Sequence, residues 1–189
     1  MKKKLTMALA LVLIIAMAVA GTYAYLTSQA TVSNTFTIGK IQITLDEAKV
    51  DENGKPVAGA ARVVSNAYKL MPGHEYTKDP TIHVKAGSEA CWLFVKVDDE
   101  LAAIEDATTI ANQITGNGWT ALAGQTGVYY KEQAAVTADT DVAVFSTLKI
   151  KGDVADITGY ENATIDVTAY AIQKDGLATA AAAWAALNP

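Results

Sequence analysis

One cysteine and two histidines stand among 189 residues. Cys91 alone excludes an intramolecular disulfide and a cysteine-rich zinc site. With only His74 and His83 beside it, the usual metal and nucleophile chemistries are short of parts. Charge is scarce too: 19% of residues are charged and 51% hydrophobic. That balance is too apolar for an intrinsically disordered chain and sufficient for one sizeable core. What charge there is has an acidic excess, 20 Asp and Glu against 15 Lys and Arg, for a formal net charge of −5. Three of the lysines, Lys2, Lys3 and Lys4, precede the first apolar run, so the rest of the chain is more acidic still. Such a surface repels phosphate backbones and anionic headgroups, which argues against nucleic-acid binding and peripheral electrostatic membrane binding. No serine sits in G-x-S-x-G, and the glycines form neither G-x-G-x-x-G nor a phosphate loop.

The uninterrupted apolar run, residues 7–20, falls short of the about 20 residues that a spanning helix needs. Behind the lysines and ahead of the small residues Gly21, Thr22 and Ala24, it has the three parts of a secretory signal peptide. Cleavage can follow Ala20 or Ala24. The expected site is after Ala24, with Thr22 at the third position before the cut and Tyr25 opening the mature chain; a retained anchor is the alternative. Signal peptidase is then a partner, and membrane association ends at cleavage. Export without disulfide capacity points to a bacterial source.

Beyond the signal the pattern is β-rich. Residues 35–38 and 41–45 alternate in polarity with a slip at Gly39-Lys40, read as a β-bulge. Asn53-Gly54 predicts a turn, and a strand over 61–70 ends at Pro72-Gly73. Residues 76–85 and 90–97 flank Ala86-Gly87-Ser88-Glu89 as a hairpin, whose second arm, apolar on both faces, should be central in its sheet. Asp98, Asp99 and Glu100 precede helical spacing over 101–114, one helix of about four turns. Strands follow at 119–123, 128–132, 141–150 and 163–173, then an alanine-rich helix over 177–187. Seven or eight strands with frequent turns give a sandwich or jelly roll.

The candidate chemistry is thin. His74-Glu75 begins H-E-x-x-H, but Lys78 occupies the second histidine position, and the context is not helical. His83, between Ile82 and Val84, reads as a solvated strand histidine. Asp98-Asp99-Glu100 and Asp139-Thr140-Asp141 could offer oxygens to calcium but lack a spaced ligand loop, so capping or solvated turns explain them better. Cys91, followed by Trp92, Leu93, Phe94 and Val95, reads as a small buried residue. The sequence therefore predicts no catalytic residues, no metal site and no cofactor.

Gly21-Thr22-Tyr23-Ala24, followed by Asn34-Thr35-Phe36-Thr37-Ile38-Gly39-Lys40-Ile41-Gln42-Ile43, resembles the start of the TasA/camelysin family, in which a G-T-aromatic-A cleavage region precedes an N-T-F-x-x-G-x-L-x-L strand. The stretch from Leu70-Met71-Pro72-Gly73 to Thr77-Lys78-Asp79 is similar to the family's L-x-P-G-x-x-x-T-K-D turn and strand. The resemblance implies a jelly-roll-like protein secreted to the extracellular matrix or surface of a Gram-positive bacterium, and with the helical segments read above the expected fold is an all-β, jelly-roll-like β-sandwich with inserted and C-terminal helices. TasA-like members assemble into biofilm fibres, possible accessory matrix proteins among their partners; camelysin-like members are described as surface metalloproteases. With so few histidines, a fibre-forming subunit ranks first, with the metalloprotease and a monomeric adhesin as alternatives.

The expected organisation is a signal peptide over 1–24, an N-terminal extension over 25–34, and a single β-sandwich domain over 35–189. The extension is a candidate donor strand. Tyr25, Leu26, Thr27, Ala30 and Val32 are β-compatible, and residues 25–32 hold no proline, glycine or charge. Added to a neighbour's sheet edge they would give a head-to-tail filament. A leader, or a first strand paired within its own domain, is the other reading of these residues.

Overall fold

Five successive apolar residues, from Cys91 to Val95, leave a strand no solvent face, so it is stable only where both faces are covered. The computed structural model describes residues 39–187 and, nearer the N-terminus, Lys3, Lys4, Thr6, Met7 and Val12, which are helical. The unit beginning at Gly39 carries the fold. Apart from those five residues, the expected signal peptide lies outside the described residues. So do the cleavage residues Thr22, Ala24 and Tyr25, the assembly residues Leu26, Thr27, Ala30 and Val32, and the first half of the proposed bulge at residues 35–38.

Among the described residues there are nine strands: β1 (Ile43–Asp46), β2 (Glu75–Thr77), β3 (Thr81–Val84), β4 (Cys91–Asp99), β5 (Thr120–Ala121), β6 (Val128–Gln133), β7 (Thr140–Ala143), β8 (Thr147–Lys149) and β9 (Ile165–Gln173). In the unit beginning at Gly39, the helices α1 (Ile110–Gly116) and α2 (Ala180–Leu187) accompany them. The strands form an all-β fold of three antiparallel sheets, ordered β1-β3-β7, β2-β8 and β5-β6-β4-β9. β4 is central, as its composition requires. Cys91, Leu93, Val95 and Val97 face the main core, which they share with Ile82 and Val84 of β3, Val142 of β7, Leu148 of β8 and Ile114 of α1. Trp92 and Phe94 face the other way, where Ala183 and Trp184 of α2 cover them. Thr179 caps that helix by accepting from Ala182 N.

Several expected elements are corrected. The 76–85 and 90–97 segments do not form a hairpin: β3 pairs with β1 and β7, whereas β4 pairs with β6 and β9, so residues 86–89 cross between sheets. The two expected long strands, 76–85 and 141–150, are each divided. Pro80 has no N–H to donate, so between residues 78–80 and 144–146 the ladder thins to Lys78 N on Ser146 O and Val144 N on Pro80 O. Register survives the break, with Thr77 facing Thr147 and Thr81 facing Ala143. The expected strand over 61–70 is an irregular segment with one bridge, Val63 to Glu47. Val64 is 88% exposed there, while Tyr68 and Leu70 pack against the main core without forming a ladder. Side chains hold it instead: Arg62 binds Asp46 and Asp79, and Asn66 binds Val50 N and Ala48 O.

The expected helix over 101–114 is also broken. Ala102–Ile104 is a 3₁₀ turn, and α1 starts afresh after Thr109, whose side chain accepts from Asn112 N. Between them, Glu105 bridges Ile150 and its carboxyl accepts from Ile110 N. Pairing with the end of the β8 segment thus outcompetes helical periodicity. The acids expected to open the helix do other work: Asp98 and Asp99 end β4, and Glu100 accepts from Thr164 N at 2.7 Å.

The turns at Asn53-Gly54 and Pro72-Gly73 form as expected, both glycines with positive φ. Gly127, before β6, combines φ +71° with a close approach: a Cβ would lie 2.4 Å from Val97 O. Gly127→Ala should therefore destabilise the domain by about 2 kcal/mol, through left-handed strain plus overpacking against a backbone atom. A urea midpoint lowered with unchanged slope would verify it; an unchanged midpoint would contradict the close packing.

Candidate functional site

Among the described residues, two of the strands that end a sheet lie near each other in the fold. β9 ends its sheet beside β4, and β1 ends its sheet beside β3. Among the described residues, only the Glu47–Val63 bridge extends the outer side of β1. Between these edges lies a groove of about 1340 Å³, walled by residues 64–70 on one side and 157–164 on the other. Leu45 of β1 and Ile165 and Val167 of β9 line it, each partly buried against the main core. Its volume exceeds the roughly 300–1,000 Å³ of a drug-sized ligand pocket. An open trough beside free backbone donors and acceptors suits an extended peptide, which supplies its own ladder and needs few specific side chains.

Of the charged groups that line the groove, Asp46, Glu47 and Lys78 are ion-paired. His83 lies between Asp46 Oδ1, 2.9 Å from Nε2, and Asp141 Oδ1, 2.6 Å from Nδ1. Its side chain is only 16% exposed, which corrects the expected solvated histidine. With a carboxylate at each ring nitrogen, both nitrogens donate and the ring is held as imidazolium. The Asp46 hydrogen bond raises its pKa most; burial opposes this, and Asp141 adds to the rise. Burial pushes Asp46 up, but the hydrogen bonds from His83 and Arg62 outweigh it and hold the carboxyl below its usual range. Arg62 also reaches Asp79 Oδ2 at 3.0 Å, clamping the irregular segment onto β1 and the start of β3.

His74 sits elsewhere in the fold, its Nε2 2.8 Å from Asn53 O and its ring edge-on to Tyr76 at 4.5 Å. Cys91 is fully buried in the main core, and burial pushes its thiol up to about 11, a value at which it is inert as a nucleophile. The two acidic clusters serve backbone and ion-pair roles. Asp99 accepts from Leu101 N, Asp139 from Ala86 N and Lys85, and Asp141 from His83.

Over its first 83 residues the chain is camelysin-like. The match is to the family described as camelysin metallo-endopeptidase, across residues 1–83, and it agrees with the TasA/camelysin resemblance of the cleavage region, first strand and Pro72-Gly73 turn. No curated protein and no solved structure matches the chain. Within the described residues the matched stretch takes in β1, the irregular segment, β2 and β3 as far as His83.

The family's description implies a metal, and the donor groups present do not fit one. Zinc sites need three or four converging ligands. The two carboxylates on His83 occupy opposite ring nitrogens and cannot converge with the ring on one ion. Among the described residues, no group of three or more His, Cys, Asp or Glu side chains could hold a metal.

The sequence alone did not indicate the β1/β9 groove or the pairing of His83 with Asp46 and Asp141. Strand pairing decides both, and the three residues are far apart in the chain. The strand expected over residues 163–173 is β9 (Ile165–Gln173); which strand would border it could not be read.

Proposed function

We propose that the chain is a secreted structural subunit of an extracellular bacterial matrix, assembled head to tail by donor-strand complementation. In this reading the signal is removed after Ala24, and residues 25–34 of one copy enter the β1/β9 groove of the next. The groove between two free strand edges carries the reading. Its apolar lining offers contacts to Leu26, Ala30 and Val32, and its exposed backbone offers hydrogen bonds that are largely indifferent to sequence. A donor joined to one end of the domain and an acceptor on its side make a heterologous contact, which propagates unless rotation closes a ring.

Electron microscopy of the mature protein, with its N-terminus defined by mass spectrometry, tests this. Filaments should form with concentration and without cofactors, and deletion of residues 25–33 should leave a folded monomer that forms none. Filaments of normal appearance from the truncated chain would exclude the mechanism. The family description favours a second reading, a surface metallo-endopeptidase. Casein cleavage abolished by chelator and by His74→Ala would establish it; the expected result is no cleavage.

A further inference from the structure

Glu47 is 6% exposed, and its carboxylate is shared by two nitrogen groups from distant parts of the chain. Lys78 Nζ lies 3.0 Å from Oε2, and Asn66 Nδ2 donates to Oε1 at 3.0 Å. The other oxygen of the same amide, Asn66 Oδ1, accepts from Val50 N at 3.0 Å. Little water reaches the group: the Lys78 side chain is 12% exposed, and the Tyr68 ring centroid stands 5.8 Å from Nζ. Burial, with Glu47 nearby, pushes the Tyr68 phenol well above its ordinary value.

A lysine amine, a carboxamide and a carboxylate touching both are the parts of an acyl transfer. We infer that Lys78 and Asn66 become joined by an intramolecular isopeptide bond, with Glu47 moving the protons. Glu47 takes a proton from the Lys78 ammonium, and the freed Nζ lone pair attacks Asn66 Cγ. Attack needs an approach to about 3–3.5 Å, within the range of the flexible four-carbon stem. The Cγ–Nζ bond forms as the carbonyl π pair moves onto Oδ1, where the Val50 N–H stabilises the developing oxyanion. Glu47 then passes its proton to Nδ2. The π bond re-forms, the Cγ–Nδ2 bond breaks, and ammonia leaves with the pair. The second proton shed by Nζ departs with the ammonia as ammonium, and Glu47 ends as the carboxylate it was. No oxidant or metal is required. The product ties the irregular segment covalently to Lys78, the residue that follows β2, and the departing ammonia makes the step irreversible in dilute solution.

Intact-mass measurement and tryptic mapping of the purified protein test the bond. The expected wild-type mass is lower than that of the sequence by one ammonia. The expected digest contains a branched peptide, residues 63–69 joined to residues 70–85 through an uncleaved Lys78. Lys78→Arg keeps the cation and removes the nucleophile, and Glu47→Gln removes the proton carrier; both should show the full sequence mass and a linear digest. A full-mass wild type would overturn the inference. So would an ammonia loss that persists in Lys78→Arg, because it would belong to a succinimide at Asn53-Gly54.

Discussion

Phe94→Ala should lower the stability of the domain by about 3–5 kcal/mol, the range for a large aromatic removed from a packed site. Phe94 is fully buried at the centre of β4, with Tyr130 of β6 on one side and Tyr170 of β9 on the other. Its ring lies 5.2 Å from Trp184 and 6.4 Å from Tyr130, and Trp184 meets Tyr170 edge-on at 5.4 Å. Truncation leaves a cavity between the sheet and α2. The Ala-rich helix has few other large side chains to fill it, so collapse around the gap is limited. Urea unfolding measures the loss, and Trp184 emission should shift to longer wavelength if α2 loosens before global unfolding. Val64→Ala, at a position 88% exposed, is the control and should change nothing measurable. A Phe94→Ala loss under 1 kcal/mol would show that α2 does not depend on this contact.

β4 and α2 were legible in the sequence because their signals are local. A run apolar on both faces must be central, and an alanine-rich segment ending the chain must pack on something flat. The turns at Asn53-Gly54 and Pro72-Gly73 were legible for the same reason. The sequence reading failed where distant segments competed for the same backbone. Residues 101–114 have helical spacing, yet Glu105 is taken by Ile150 and the helix restarts five residues later. Residues 61–70 look like a strand, but Arg62 and Asn66 spend their polar groups on β1 and its flanks, leaving one bridge in place of a ladder. The groove was illegible because it is a gap between two strands more than a hundred residues apart. Glu47, Asn66 and Lys78 converge for the same reason, with no spacing to announce them.

Stability should fall as pH rises from 4.5 to about 7, and Glu105→Gln should abolish most of that fall. Glu105 is 4% exposed. Burial pushes its carboxyl from 4.5 up to about 7; the bond from Ile110 N opposes the rise and the nearby Asp99 adds to it. Below 4.5 both folded and unfolded chains hold the proton. Between 4.5 and about 7 the unfolded chain has released it and the folded chain has not, so each step up in pH favours unfolding. Above that window both are ionised and the full penalty remains, on the order of 3 kcal/mol. Glutamine keeps an acceptor for Ile110 N and has nothing to ionise, so the variant should be the more stable form at the alkaline end. His83 works in the same direction over a later window. Its raised pKa contributes stability that is complete below its unfolded value of 6.5 and disappears as pH climbs through the folded value. Glu105→Gln should therefore flatten the urea midpoint between pH 4.5 and 6.5 and leave a residual slope above, which His83→Gln removes. A wild-type slope that survives intact in Glu105→Gln below pH 6.5 would mean that the buried carboxyl is not the group that titrates.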